Sequence, residues 1–281
     1  MPIAKTRCIA QCVMLIPFGI WGCSENVTPW APYTLDTQAM CIPNLDEKIE
    51  SSEFPMLDGV EATYRASTDI SLDFAIGSTS AGISVWDFSA DIPDDQEYSI
   101  APHSIQNLED AWFATSFPTA SWVVANDLQE DSFGLYSIDT NAFWLHGLAS
   151  ATENDTLLTY ENALPLLRFP IQEGDHFVAQ SNVEGKSAGL PFTGIHKYDV
   201  TVQKMGILWL HNYTFASVWR INTIFQILPP VGNSITVYQS SFFTECFGEL
   251  VRLQSDINPS DFSFGDFSTN NIANMRRLYL E

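Results

Sequence analysis

Apolar and polar residues alternate along much of this chain. Ile70, Leu72, Phe74 and Ile76 fall on one side of a two-residue period, with Ser71, Asp73 and Ala75 on the other. Tyr198, Val200 and Val202 alternate with Asp199, Thr201 and Gln203. Phe215, Trp219, Ile221, Phe225 and Ile227 share the odd positions of a longer run, opposite Arg220, Asn222 and Gln226. Successive side chains of a strand point to opposite faces, so each run predicts a half-buried antiparallel strand. Further strands are expected at 84–89, 121–125, 133–138, 143–149, 235–243 and 249–254. Turn-formers separate the runs: Met205-Gly206, His211-Asn212, Pro229-Pro230-Val231-Gly232-Asn233 and Phe247-Gly248.

Only two stretches have helical spacing. Ile105, Leu108 and Trp112 follow Ser104 as an N-cap, and Ile272, Met275 and Leu278 follow Asn270 and Asn271. Many short strands with turns between them, and one or two short helices, predict an all-β fold. The architecture is an antiparallel β-sandwich or a curved, partly closed sheet. No repeat of fixed period and no low-complexity run interrupts it.

The N-terminus reads as an address. Lys5 and Arg7 precede an apolar stretch from Cys8 to Gly22, shorter than the roughly 20 residues a membrane-spanning helix needs. The stretch ends in Ile20-Trp21-Gly22-Cys23, followed by Ser24-Glu25-Asn26. This resembles the lipobox of bacterial lipoproteins, which implies cleavage after residue 22, a lipid on Cys23 and, through Ser24, outer-membrane sorting. Residues 23–55 hold Pro29, Pro32, Pro43 and Pro55 without periodicity and read as a tether. The all-β domain then runs over 56–281, as one unit or as two packed halves at about 56–127 and 133–281. Of the five cysteines, Cys8 and Cys12 leave with the leader and Cys23 is lipidated. Cys41 and Cys246 remain as an even pair in an oxidising compartment, either bonded or both buried thiols.

Charge narrows the partners. The 281 residues carry 12 Lys and Arg against 34 Asp and Glu, a formal net charge of −22. Nucleic acid is excluded as a partner, because phosphate contacts need clustered Lys and Arg. An anionic lipid surface repels such a protein, so membrane attachment rests on the acyl chain. With 46% hydrophobic and 16% charged residues, the chain has the composition of a folded protein, since disorder needs the reverse balance.

Catalytic motifs fail on context. Gly185-Lys186-Ser187-Ala188-Gly189 matches the nucleophile elbow, but Pro191 and Gly194 follow where a helix must start, so a loop tip is expected. His103, His146, His176, His196 and His211 lack the i, i+4 spacing of a zinc protease. His176 beside Asp175 reads as turn residues leading into a strand, since neighbours there face opposite ways. The acidic runs 91–97 and 126–131 offer oxygen ligands for calcium, but read as solvated loops. The sequence singles out no carboxylate pair for glycoside hydrolysis. Trp30, Tyr33, Trp144, Trp209 and Tyr213 lie near loops and could form a stacking platform, although most aromatics of a sheet protein are core.

The second half resembles an uncharacterised class of secreted bacterial lipoproteins and cell-surface proteins. The resemblance is carried by Leu164–Asp175, Met205–Leu210, Tyr213–Ile221, Glu245–Arg252 and Arg276-Arg277-Leu278, and spans most of 164–281. It implies an extracytoplasmic all-β domain and transfers no catalytic residue. The expected function is therefore a lipid-anchored envelope protein at the outer membrane, on its periplasmic or surface face. It would act as a non-enzymatic binding or structural module for an envelope protein or glycan, with no cofactor and no metal. Two alternatives stand beside it: a carbohydrate-active hydrolase using a carboxylate pair, and a carrier of an apolar ligand inside a curved sheet.

Overall fold

A computed structural model describes residues 41–70, 78–80, 82–93, 95–108, 111–126, 129–153, 155–260, 262–264, 267 and 272–280. All belong to a unit spanning Met40–Glu281. Cys23, Trp30, Tyr33 and the alternation from Ser71 to Ile76 lie outside the described residues.

The fold is all-β. Its strands are β1 (Ala62–Ile70), β2 (Ser78–Ser80), β3 (Ile83–Phe88), β4 (Gln96–Ile100), β5 (Pro102–Ser104), β6 (Trp122–Asn126), β7 (Gln129–Ile138) and β8 (Ala142–Ser150). They continue as β9 (Leu157–Arg168), β10 (His176–Ser187), β11 (Leu190–Leu210), β12 (Tyr213–Leu228), β13 (Ile235–Thr244), β14 (Gly248–Gln254) and β15 (Ile272–Leu278). Thirteen of them follow one path, β4-β1-β15-β14-β13-β12-β11-β10-β9-β8-β7-β6-β5, antiparallel throughout. The two ends of that path, β4 and β5, are separated in the chain by Ala101 alone. The sheet's borders therefore meet, and it curls into a nearly closed barrel. This is the curved-sheet form of the expectation, and one continuous sheet runs through both of the halves considered above.

Individual strands show why. In β10, Phe177, Ala179, Ser181 and Val183 are buried while Val178, Gln180, Asn182 and Glu184 are exposed, a strict two-residue period. Ser187 pairs with Leu190, so Ala188 and Gly189 form a two-residue turn, both with positive φ, at 49° and 73°. The Gly185–Gly189 motif is thus a hairpin and not a strand-to-helix elbow. Met205-Gly206, expected as a turn, lies inside β11. A bulge between Val202 and Met205 marks the point where one edge of β11 passes from β10 to a parallel pairing with β3. Glycine is needed there: a Cβ on Gly206 would lie 2.4 Å from the Ser84 carbonyl oxygen and 2.7 Å from the Trp86 ring.

Both expected helices are corrected. The first is two short 3-10 turns, Ile105–Asn107 and Ala114–Ser116, and the Ser104 side chain makes no capping bond. The second is strand β15, inserted between β1 and β14. Ile272, Met275 and Leu278 are all buried in one cluster with Phe88, Phe242, Leu250, Leu253 and Phe267. A strand covered on both faces loses its alternation, and the surviving spacing imitates a helix.

The tether boundary also moves. Residues 41–55 are docked on the barrel rather than leading up to it. Cys41 is bonded to Cys246, with 5.4 Å between the Cα atoms. Ile49 is 1% exposed and exchanges both backbone hydrogen bonds with Ile171, at 3.0 and 2.8 Å. A 3-10 turn at Ser51–Glu53 follows, and Phe54 inserts among Phe143, Phe169 and Phe243, at 5.0–6.2 Å between ring centroids. Prolines and polar residues conceal two apolar plugs, Ile49 and Phe54, which is why the segment reads as a spacer. Together they form a strap across one end of the barrel.

Candidate functional site

The inner faces of β7–β9 and β11–β15 enclose a cavity of about 850 Å³. That volume lies in the range of small-molecule sites. A barrel with more than about eight strands has room for such a space.

The lining is divided. Tyr136, Phe143, Leu145, Leu148, Tyr160, Leu166 and Leu167 cover β7–β9, and Tyr198 and Phe225 continue the apolar wall onto β11 and β12. Polar side chains gather on β12–β15. Thr223, Gln239 and Gln254 stand opposite one another in consecutive registers, and the next cross-strand row is Ile221, Ser241, Arg252 and Arg276. Strand register thus dictates an amphipathic lumen.

One ion cluster anchors the polar wall. A bulge at β14 pairs Phe242 with Val251 but Phe243 with Glu249, so Glu249 and Arg252, three residues apart, share the inner face. Arg252 donates from Nε and Nη2 to the two Glu249 carboxylate oxygens, both at 2.8 Å, and Arg276 Nη2 donates to Oε2. Burial alone would raise the Glu249 pKa, but Arg252 and Arg276 outweigh it and bring it down to about 2. Arg276 also lies over the Tyr64 ring at 5.1 Å, and Tyr64 donates to the Glu249 carbonyl oxygen at 2.9 Å.

At the other end of the lumen stands His196, 2% exposed. It precedes the Arg252 row by six residues along β11, about 20 Å of extended strand. Its Nδ1 is hydrogen-bonded to the Tyr160 hydroxyl at 2.7 Å, and the rings of Tyr160, Phe192 and Phe225 pack around it at 5.3–5.9 Å. Burial lowers the imidazole pKa to about 4, so the ring is neutral at ordinary pH. Nε2 is buried without a hydrogen-bond partner among the described residues.

The mouth is mainly apolar, with the exposed Glu61 beside Val60. Leu57, Val60 and Phe247 line the cavity and are 43%, 54% and 47% exposed, an uncommon arrangement unless a surface meets apolar matter. Ile100, Pro102, Val124 and Ala125 bring the seam between the sheet's two borders into the same wall.

The structure disperses most of the residues that the sequence marked. His176 pairs with Asp199 across strands at 2.9 Å on the surface, while Asp175 accepts from the Gln172 N–H. His146 bonds Thr119 and Ser137, His211 faces Asp91 at 3.6 Å, and His103 is exposed. In the acidic run 91–97, Asp95 holds Arg277 and Ser67, and Glu97 holds Arg65, so two of its carboxylates are structural ties. Among the described residues no group of three or more His, Cys, Asp or Glu is gathered for a metal. Trp209 and Tyr213 flank the β11–β12 hairpin, Trp144 sits in β8, and none of the three lines the cavity. Glu249 and Glu61 are the carboxylates of the cavity wall among the described residues, and Glu249 is committed to its two arginines.

The sequence did not mark His196, Glu249, Arg252 or Arg276 as a site. For His196 a signal existed: carrying the Tyr198–Val202 alternation back two residues puts it on the same inner face. Comparison of the chain with protein-family models, with curated proteins and with solved structures finds no match.

Proposed function

We propose that this is a binding protein that holds an apolar small molecule inside its barrel, tethered to the bacterial envelope by a lipid on Cys23. The observation that carries the reading is the cavity, about 850 Å³, walled over β7–β9 by aromatic and aliphatic side chains, with its polar residues gathered on β12–β15 and a mainly apolar mouth. Burial of hydrocarbon in such a space is favourable by about 25 cal/mol per Å² removed from water. Among the readings of the sequence, the carrier is the one this lumen supports. A hydrolase would need an acid of raised pKa in the cleft, whereas the buried lumenal carboxylate is held low by two arginines. The lipobox-like Ile20–Cys23 and the net charge of −22 support anchoring by an acyl chain rather than by the surface itself.

Two experiments test the reading. The neutral fluorophore N-phenylnaphthylamine should brighten on binding the purified protein, and Val237→Trp, which fills the lumen, should abolish the signal while leaving the β-sheet circular dichroism intact. Fluorescence unchanged by the native protein would refute the carrier. Metabolic palmitate labelling should be lost in Cys23→Ser; persistent labelling would refute the anchor.

A further inference from the structure

We propose that the ligand of this lumen carries a compact, uncharged head group with several hydroxyls, held by Thr223, Gln239 and Gln254. The inference rests on the carrier reading and adds to it the class of ligand: a hydrocarbon joined to a glycerol or a single sugar.

The three side chains come from the neighbouring strands β12, β13 and β14. Register sets Thr223 against Gln239 and Gln239 against Gln254, so they form one row across the inner face. Strands lie about 4.8 Å apart, which makes the row roughly 10 Å long. All three residues are half-buried and line the cavity. Gln239 Nε2 donates to Ser241 Oγ at 3.0 Å, which leaves its Oε1. Among the described residues, that oxygen, the Thr223 hydroxyl and the Gln254 amide have no hydrogen-bond partner, and none of these atoms is occluded.

Donors and acceptors decide what matches the row. Gln239 Oε1 needs a donor, while the Gln254 amide and the Thr223 hydroxyl each donate and accept. A carboxylate only accepts, so it leaves Gln239 Oε1 unmatched, and the nearby guanidinium groups already hold Glu249 between them. An ammonium only donates and would sit beside those two cations in the adjacent row. A pure hydrocarbon covers three polar groups and pairs none of them, a burial that proteins seldom accept. A hydroxyl both donates and accepts. One hydroxyl cannot span a row of about 10 Å, so the head bears several. Topology places the tail. Strand β8 lies six strands from β14 on a path of thirteen, so Leu145 and Leu148 stand across the lumen from Gln254. Hydrocarbon packed there leaves the head against the row.

The test measures decyl glucoside, monodecanoylglycerol, decanoate and decane as competitors of N-phenylnaphthylamine on the purified protein at neutral pH, each below its micelle-forming concentration. At least one of the two polyhydroxyl compounds should bind about tenfold tighter, or more, than decane and decanoate. The stronger of the two identifies the head as sugar or glycerol. In variants the readout is the ratio of that compound's affinity to decane's, which cancels any general change in the lumen. Thr223→Val and Gln254→Leu nearly keep side-chain size, and each should lower the ratio about tenfold, the equivalent of one hydrogen bond. In the native protein, the Gln254 side-chain amide resonances should move with the polyhydroxyl compound and stay still with decane. That measurement keeps the test valid if a variant folds poorly. A preference for decanoate, no preference over decane, an unchanged ratio in either variant, or still amide resonances would overturn the head group. Failure of the fluorophore to bind the native protein would instead overturn the carrier reading, and this inference with it.

Discussion

Cys41 and Cys246 stand 205 positions apart in the chain, yet a disulfide brings their Cα atoms to 5.4 Å. The bond fastens the strap to the β13–β14 turn. Beside it the Cys246 N–H donates to the Glu53 carbonyl oxygen and the Leu45 N–H to Glu245 Oε2. Its free-energy contribution follows from loop closure, which for a span this long approaches about 5 kcal/mol as an upper value.

Reduction, or Cys41→Ser with Cys246→Ser, should therefore lower stability by several kcal/mol and expose 41–55 to protease before the barrel is cut. Thermal unfolding and limited proteolysis, each with and without reductant, measure this. An unchanged melting temperature would contradict the role given to the bond.

Glu249 makes stability depend on acid. Its folded pKa is about 2 against an ordinary 4.5, so the folded state binds fewer protons than the unfolded chain between these values. Stability is fully present above 4.5 and is lost as pH falls toward about 2, by an amount on the order of 3 kcal/mol. Arg276→Met removes one partner and should cost about 3 kcal/mol at neutral pH. Urea denaturation across the acid range should give a shallower pH dependence in the variant than in the native protein.

Glu53 carries the opposite sign. It is 6% exposed, and its pKa is raised above 4.5 by burial and by the nearby Glu245. The folded state keeps its proton longer, so stability falls as pH rises from 4.5 through the raised value. Glu53→Gln retains the oxygen that accepts the Glu50 N–H. It should raise the melting temperature at neutral pH, with the advantage over the native protein closing below pH 4.5.

Gly206→Val tests the packing of β3 on β11. Its Cβ would meet the Ser84 carbonyl oxygen at 2.4 Å, and backbone cannot yield as a side chain does. Overpacking of this kind costs about 3 kcal/mol, read as a lower urea midpoint. A neutral result would mean that β3 separates from β11 without cost.

The strands that the sequence disclosed are those whose apolar residues alternate with polar ones. In β12 the odd residues Trp219, Ile221 and Phe225 face inward as their alternation implies. Strand β15 was hidden because both its faces are covered. Strand β9 was obscured by Pro165, which is tolerated because a register shift at Trp144 falls beside it. The site was less legible than the fold. Glu249 and Arg252 meet only through a bulge that breaks the period, and Arg276 reaches them from a strand that reads as helix. His196 lay two residues beyond the last position assigned to its strand.

The meeting of β4 and β5 at Ala101 has one more consequence. An open sheet leaves unpaired N–H and C=O groups along each border, where a stray chain can add itself. Here the two border strands follow one another in the chain, joined end to end by Ala101, so the sheet's two edges share one stretch of backbone and neither can shift without drawing on the other.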